Sequence, residues 1–307
     1  MSRQFHNQPE DSHQHRFLVE LWDEVRERTA GKVDVTVHAR NAGVPGSDPR
    51  VLEMLVEGEV EFATMMGPLI GAVVPAAEIQ GVPFAFKSPA QAHAAVDGPL
   101  GDFLRQEMRA RGIHALPGGT LENGLRQICS VRKAVKTPDD LAGYRMRVPA
   151  GRILRELFEA LGATAVVVNI DGLYAALRDG TVDGHENPLA ITQANRLDEV
   201  TSSIALTNHV WSGFNLIAHL GYWSSLGEAE QAAIHACARR HVARQRGYTT
   251  ELNQTLQSAL GTQGMKIEPV QPDIFRARLG DAFYARWRER CGTTAWELLE
   301  DAVGKLD

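Results

Sequence analysis

Segments with a helical apolar stripe alternate with short β-branched runs along this whole chain, and that alternation limits the folds open to it more than any other feature. Ser12 can cap a helix that puts Phe17, Leu18, Leu21, Trp22 and Val25 on one face; Val33, Val35 and Val37 then alternate as a strand. Asp48-Pro49 starts a further helix, 60–66 reads as a strand, and Ser88-Pro89 opens a helix reaching about residue 111. The middle repeats the pattern, with strands near 113–116, 127–131, 145–148 and 165–168, helices over 153–161 and 171–178, and Asp171 as a cap. Strand–helix–strand units in this number predict an α/β fold, its sheets containing parallel pairs covered by helices. Over 225–260 a stripe of Ile234, Ala238, Val242, Tyr248, Leu252 and Leu256 predicts a helix of about 50 Å, at a rise near 1.5 Å per residue. A helix that long exceeds the span of most single domains, so it is expected to bridge two lobes. Shorter helices over 273–290 and 293–303 follow.

Composition narrows the function. The chain has 307 residues, long enough for a large core without staples, and its formal net charge of −6 comes with no basic stripe. Nucleic acid is therefore not an expected partner, and an anionic ligand must be held by a local cationic site. Cys129, Cys237 and Cys291 lie far apart, at no metal spacing, and read as small buried hydrophobes. His6, His13 and His15 lack carboxylate or thiolate companions at metal spacing, so no metal and no cofactor is expected. No P-loop, GxSxG elbow, HExxH pair or GxGxxG turn occurs, and no catalytic residue is assigned. No apolar run approaches the roughly 20 residues of a membrane span. The opening Met1-Ser2-Arg3-Gln4-Phe5 lacks the charged-then-apolar pattern of a secretory leader.

Three segments carry a resemblance. They are Glu122-Asn123-Gly124-Leu125-Arg126-Gln127, then Thr137-Pro138-Asp139-Asp140-Leu141-Ala142-Gly143-Tyr144-Arg145-Met146-Arg147-Val148-Pro149. The third is Leu173-Tyr174-Ala175-Ala176-Leu177-Arg178-Asp179-Gly180-Thr181-Val182-Asp183-Gly184-His185-Glu186-Asn187-Pro188. In that order they resemble the solute-binding subunits of tripartite ATP-independent periplasmic (TRAP) transporters. Weaker similarity covers 7–15, 29–33 and 81–86. The resemblance implies a two-lobed, type II periplasmic-binding-protein-like fold with a ligand cleft between the lobes. On that plan lobe one comprises 1–123 and 208–250, and lobe two 124–207 and 251–307. It also implies a transport protein rather than an enzyme, one that hands a small carboxylate to membrane permease subunits. A periplasmic location is expected, the leader having been removed. A sugar acid or hydroxy acid is the favoured ligand, with a C4-dicarboxylate as the alternative. A ligand-sensing module feeding a receptor would use the same clamp.

Arg147 stands where the family holds its carboxylate-binding arginine. On pattern alone it reads as a structural strand-edge residue, but a planar guanidinium offers paired donors that match the two oxygens of a carboxylate. Arg126 matches the family's second arginine, and Asn187 its asparagine near the ligand. Asn7, His15 and Glu78 are expected to face the cleft from lobe one. His209 and Trp211, near the expected return to lobe one, are softer candidates, a tryptophan there reading at least as well as core or hinge packing. Two positions depart from the resemblance: many relatives carry an aromatic at Ile170 and an acidic residue at Gly172. Ile170 therefore predicts a smaller, aliphatic ligand wall.

Overall fold

The computed structural model describes residues 2–306; Met1 and Asp307 lie outside them. In chain order the first elements are β1 (Ser2–Phe5), α1 (His13–Arg28), β2 (Val35–His38), α2 (Asp48–Glu57), β3 (Phe62–Met66), α3 (Gly67–Ile70), α4 (Pro89–Asp97), α5 (Pro99–Arg109) and β4 (Ile113–Leu125). There follow β5 (Gln127–Ser130), β6 (Arg145–Val148), α6 (Arg152–Ala160), β7 (Thr164–Val167), α7 (Ile170–Arg178), β8 (Gly184–Asn187), α8 (Leu189–Ala194) and β9 (Ser203–Ala205). The chain finishes with β10 (Trp211–His219), α9 (Leu220–Ser225), α10 (Glu228–Thr262), β11 (Lys266–Glu268), α11 (Pro272–Cys291) and α12 (Thr293–Val303).

Two sheets result, ordered β2-β1-β3-β10-β4 and β11-β9-β5-β8-β6-β7. In the first, β1 runs parallel to β2 and β3 while β10 is antiparallel to β3 and β4. The alternation of strands and helices in the sequence thus becomes two helix-covered sheets, one per lobe. Apolar faces set the packing: Leu18, Leu21, Trp22 and Val25 of α1 are buried against the first sheet, and Ile153, Leu154, Leu157 and Phe158 of α6 are buried in the same continuous core. Ser12 caps α1 by accepting the His15 N–H at 3.2 Å, and Ser88 caps α4 by accepting the Gln91 N–H at 3.2 Å.

The lobes meet where two strand connections run side by side. Arg126, between β4 and β5, donates its N–H to Val210 O at 2.7 Å and accepts the His209 N–H at 3.3 Å. The 35-residue α10, about 50 Å long, packs on α1 and β4 of the first lobe and on α8 and β11 of the second. A second close contact joins the lobes on the other flank, where α6 meets α3 and the 3-10 turn Pro75–Gly81.

Several boundaries differ from those expected. The segment 2–5, given no structure by pattern reading, is a strand in mid-sheet. The helix expected from 89 to about 111 is two helices, because Gly98-Pro99 withholds an N–H and breaks the run. The strand expected at 113–116 extends as β4 to Leu125. Asp171 lies in the first turn of α7, whose N-cap is Asn169. The assignment of 251–307 to lobe two fails for α12, which packs on α4 and α5 of lobe one and buries Ala295, Trp296 and Leu299. All three cysteines are buried and unpaired.

Candidate functional site

A cavity of about 380 Å³ lies between the two sheets, at the carboxyl ends of their strands, where open α/β sheets present their ligand groups. Asn7 and Gln8 follow β1, Asp48 begins α2, Met66 ends β3, and Asn123 and Phe214 come from β4 and β10. The other lobe contributes Arg147, Pro149 and Ala150 around the end of β6, Asn169 and Ile170 at the start of α7, Asn187 at the end of β8, and Ile191. Arg126 lines it from the crossing strands.

The two arginines are in opposite electrostatic states. Arg126 is saturated: its Nε and Nη2 both meet the Glu186 carboxylate, the Nη2–Oε1 distance being 2.6 Å, and Nη2 also donates to Glu186 O at 2.7 Å and Asn187 Oδ1 at 3.1 Å. Burial pushes the Glu186 carboxyl up, but Arg126 and His209 outweigh it and hold the group at about 2. His209 approaches Glu186 through Nε2 at 3.2 Å and Thr207 through Nδ1 at 2.7 Å. The result is a buried, internally neutralised cluster.

Arg147 is as deeply buried, at 2% exposure, but only its Nε is bound, to Val168 O at 2.7 Å. Its two terminal nitrogens have no hydrogen-bond or ion-pair partner among the described residues. Burial pulls its pKa down to about 10, against the attraction of Glu186, so the guanidinium stays charged at neutral pH. A desolvated cation with an open fork at a cavity wall requires an anion.

Across the cavity stands a carboxyl group. Asp48 accepts from Asn7 Nδ2 and from Asn41 Nδ2, each at 2.7 Å, and makes no ion pair among the described residues. Burial raises its pKa, partly offset by those two amides. His185, behind Asn187, accepts the Asn187 Nδ2–H at Nδ1 over 3.0 Å, and burial with Arg147 nearby lowers its pKa to about 3, so it is neutral. Ile170, Ile191, Met66, Phe214 and Pro149 supply apolar wall.

Of the site residues expected from sequence, Arg147, Arg126, Asn187, Asn7 and Ile170 converge on this cavity. Glu78 does not. It is buried between lobes, taking the Ile153 N–H at 2.9 Å and Arg290 Nε at 3.0 Å, because its turn faces α6 and α11 instead of the cleft. His15 is also outside: its Nδ1 meets His6 Nε2 at 2.9 Å on the far side of the segment that carries Asn7. Trp211 is core, its Nε1 donating to Glu122 at 3.0 Å. Sequence reading missed Asp48, Gln8, Asn123 and Asn169 as lining residues and Glu186 as the partner of Arg126. Asp48 was legible only as the polar start of a helix, and Glu186 only as part of a motif. A larger cavity behind the crossing strands, about 740 Å³, has no cationic side chain in its lining and offers an anion no partner. Among the described residues no cluster suited to a metal occurs.

With known proteins compared, the model of the DctP family, bacterial extracellular solute-binding protein family 7, matches residues 5–289. An uncharacterised protein of Sinorhizobium fredii is 35% identical over 187 residues, covering 61% of this chain but only 34% of that protein. A solute-binding protein of Verminephrobacter eiseniae is 29% identical over 294 residues, covering 95% of this chain and 86% of that one. The crystal structure of the sugar acid binding protein of Advenella mimigardefordensis in complex with galactonate superposes with a TM-score of 0.92 at 25% identity, over 100% of this chain and 98% of that chain.

Proposed function

This chain belongs to the bacterial extracellular solute-binding proteins of family 7, and from that membership we propose that it captures a hydroxylated aliphatic monocarboxylate, a sugar acid or hydroxy acid, for delivery to the permease subunits of a TRAP transporter. The observation that carries the ligand class is the open guanidinium fork of Arg147, buried and without a partner while Arg126 is fully committed to Glu186.

The charges of the cavity select among acids. Arg126 and Glu186 cancel, which leaves one uncompensated cation at one end and the Asp48 carboxyl at the other. A monocarboxylate fills the Arg147 fork and can turn hydroxyl donors toward Asp48 and amides toward its own oxygens. A C4-dicarboxylate has a second anionic group, and the lining offers that group no second free cation, only amides and the Asp48 carboxyl. The Advenella mimigardefordensis relative is bound to galactonate, a monocarboxylate with hydroxyls, which supports the same choice. Family members are solute-binding proteins rather than enzymes.

The test is a thermal-shift screen of aldonates, uronates, keto acids, dicarboxylates and neutral sugars, followed by calorimetry on the hits. Ligand at a hundred times its dissociation constant adds about 2.7 kcal/mol to stability, an easily read shift. Hydroxylated monocarboxylates should stabilise most, and Arg147→Ala should weaken them by at least about a hundredfold, the scale of a desolvated charge pair. Hits confined to dicarboxylates or neutral sugars, or a loss of less than about threefold in Arg147→Ala, would overturn the reading.

A further inference from the structure

Asn195, one residue past α8 in the second lobe, is not part of the cavity wall, yet it is bonded to it. Its Nδ2 donates to Gln8 Oε1 of the first lobe at 3.2 Å, Gln8 Nε2 donates to Asn7 Oδ1 at 2.7 Å, and Asn7 Nδ2 donates to Asp48 Oδ2 at 2.7 Å. The direction of this chain follows from chemistry. Both oxygens of Asp48 accept, one from Asn7 and one from Asn41, so Asn7 turns its NH2 to Asp48 and its oxygen to Gln8. Gln8 must then donate to Asn7 and offer its own oxygen to Asn195. Every amide flip along the line is fixed by the carboxylate at one end and by the donor from the other lobe at the far end. A second link restrains the same stretch from lobe two: Asn169 Nδ2 donates to Gly46 O at 3.3 Å, two residues before Asp48. Ser47, between them, is held at φ 56°, a left-handed conformation unfavourable for a residue with a Cβ.

We propose that Asn195 is a positioning residue for recognition of ligand hydroxyls: by bonding Gln8 across the lobes it locks the amide relay that aims Asp48, Asn7 and Gln8 at the ligand. The proposal rests on the hydroxy-monocarboxylate reading above. It divides recognition into two stages. The Arg147 fork belongs wholly to lobe two and is bound there only through Val168, so it can take the carboxylate while the lobes are apart. The Gln8 end of the hydroxyl-reading wall is held in place from lobe two only when Asn195 reaches it, so discrimination between hydroxylated and plain acids is made after closure and is read in the dissociation rate.

The experiment compares the C4 to C6 aldonates erythronate, gluconate and galactonate with the unsubstituted butanoate and hexanoate, by calorimetry and stopped-flow, in wild type, Asn195→Ala, Asn195→Asp and Gln8→Met. Asn195→Asp keeps the size but removes the donor, and Gln8→Met breaks the relay one link further on, so one unfolded variant does not end the test. The expected result is a loss of about five- to tenfold in aldonate affinity, carried by faster dissociation, and in the two Asn195 variants, which leave the cavity wall itself intact, an affinity for the plain acids changed by less than about twofold. Combining Asn195→Ala with Gln8→Met should add almost nothing, as members of one network do. Equal losses for aldonates and plain acids would mean that Asn195 only props the closed state, and an unchanged aldonate affinity would remove it from recognition; either overturns the proposal. A wild type without preference for aldonates over plain acids would instead sink the ligand reading, and this proposal with it.

Discussion

At the scale of single residues, burial governs what each ionisable group contributes. His6 and His185 are pulled down to about 3, His6 by burial and then by His15 and His38, His185 by burial and then by Arg147. His6 accepts the Gln8 N–H at Nδ1 over 3.2 Å, so it carries its proton at Nε2 and donates to His15. In the unfolded chain both imidazoles titrate near 6.5. Between about 6.5 and about 3 the unfolded state therefore binds protons that the folded state refuses, and stability falls as pH falls, by roughly 1.4 kcal/mol per pH unit for each group. Glu186, held at about 2, adds a further loss below the ordinary carboxylate range; Asp48 and Glu78, raised by burial, act in the opposite sense. Urea midpoints should drop steadily from pH 7 to pH 5, and the His185 ring resonances should not titrate in that interval; a flat profile with a titrating His185 would contradict its burial as a neutral ring. Which residues line the cavity was half legible. Arg147, Arg126 and Asn187 lie in long motifs whose strand ends fix their direction. Glu78, His15 and Asp48 were misjudged because the direction of a side chain on a turn or helix start depends on what packs against it, and local pattern does not carry that.

Among elements, the interlobe contact opposite the crossing strands is a close one. No side chain of its own caps α6; the Glu78 carboxylate of the other lobe accepts the Ile153 N–H there while bonding Arg290 of α11. Glycines let the elements approach this closely. A Cβ on Gly81 would lie 2.6 Å from Pro68 Cγ of α3 and 2.9 Å from Ile153 Cγ2 of α6. Gly81→Ala should therefore destabilise the protein by about 1–3 kcal/mol, the usual scale of overpacking, and lower ligand affinity by wedging the lobes apart. Denaturant unfolding and calorimetry check both parts; unchanged stability would show that α3 and α6 yield freely. Element identities were largely legible, since caps such as Ser12 and Ser88 and the Val-rich runs are local signals. The strand Ser2–Phe5 was not, because Arg3 and Gln4 break its apolar run and only its neighbours in the sheet make it a strand.

At the scale of the whole molecule, neither lobe is a continuous stretch of chain. The first sheet takes β10 between β3 and β4 only after the chain has built most of the second sheet, and α12 returns to cover α4 and α5. Removing 293–303 should expose the faces that Ala295, Trp296 and Leu299 cover and destabilise the lobe that carries Asp48, although the deletion lies far from Asp48 in sequence. Thermal unfolding of that truncation should show a lowered or split transition; a single transition at the wild-type temperature would mean α12 is dispensable. The long helix was legible from its stripe, and the two-lobed plan from the motif resemblance. The return of α12 was not, because an amphipathic stripe says that a helix packs and not on which sheet. The threading of β10 has a consequence for the order in which the chain can fold as it emerges, N-terminus first. By the time residue 205 has emerged, β5 to β9 are all available to pair, whereas the older half of the molecule still lacks its penultimate strand. The lobe that carries Arg147 can take shape first, and the lobe begun earliest is finished last.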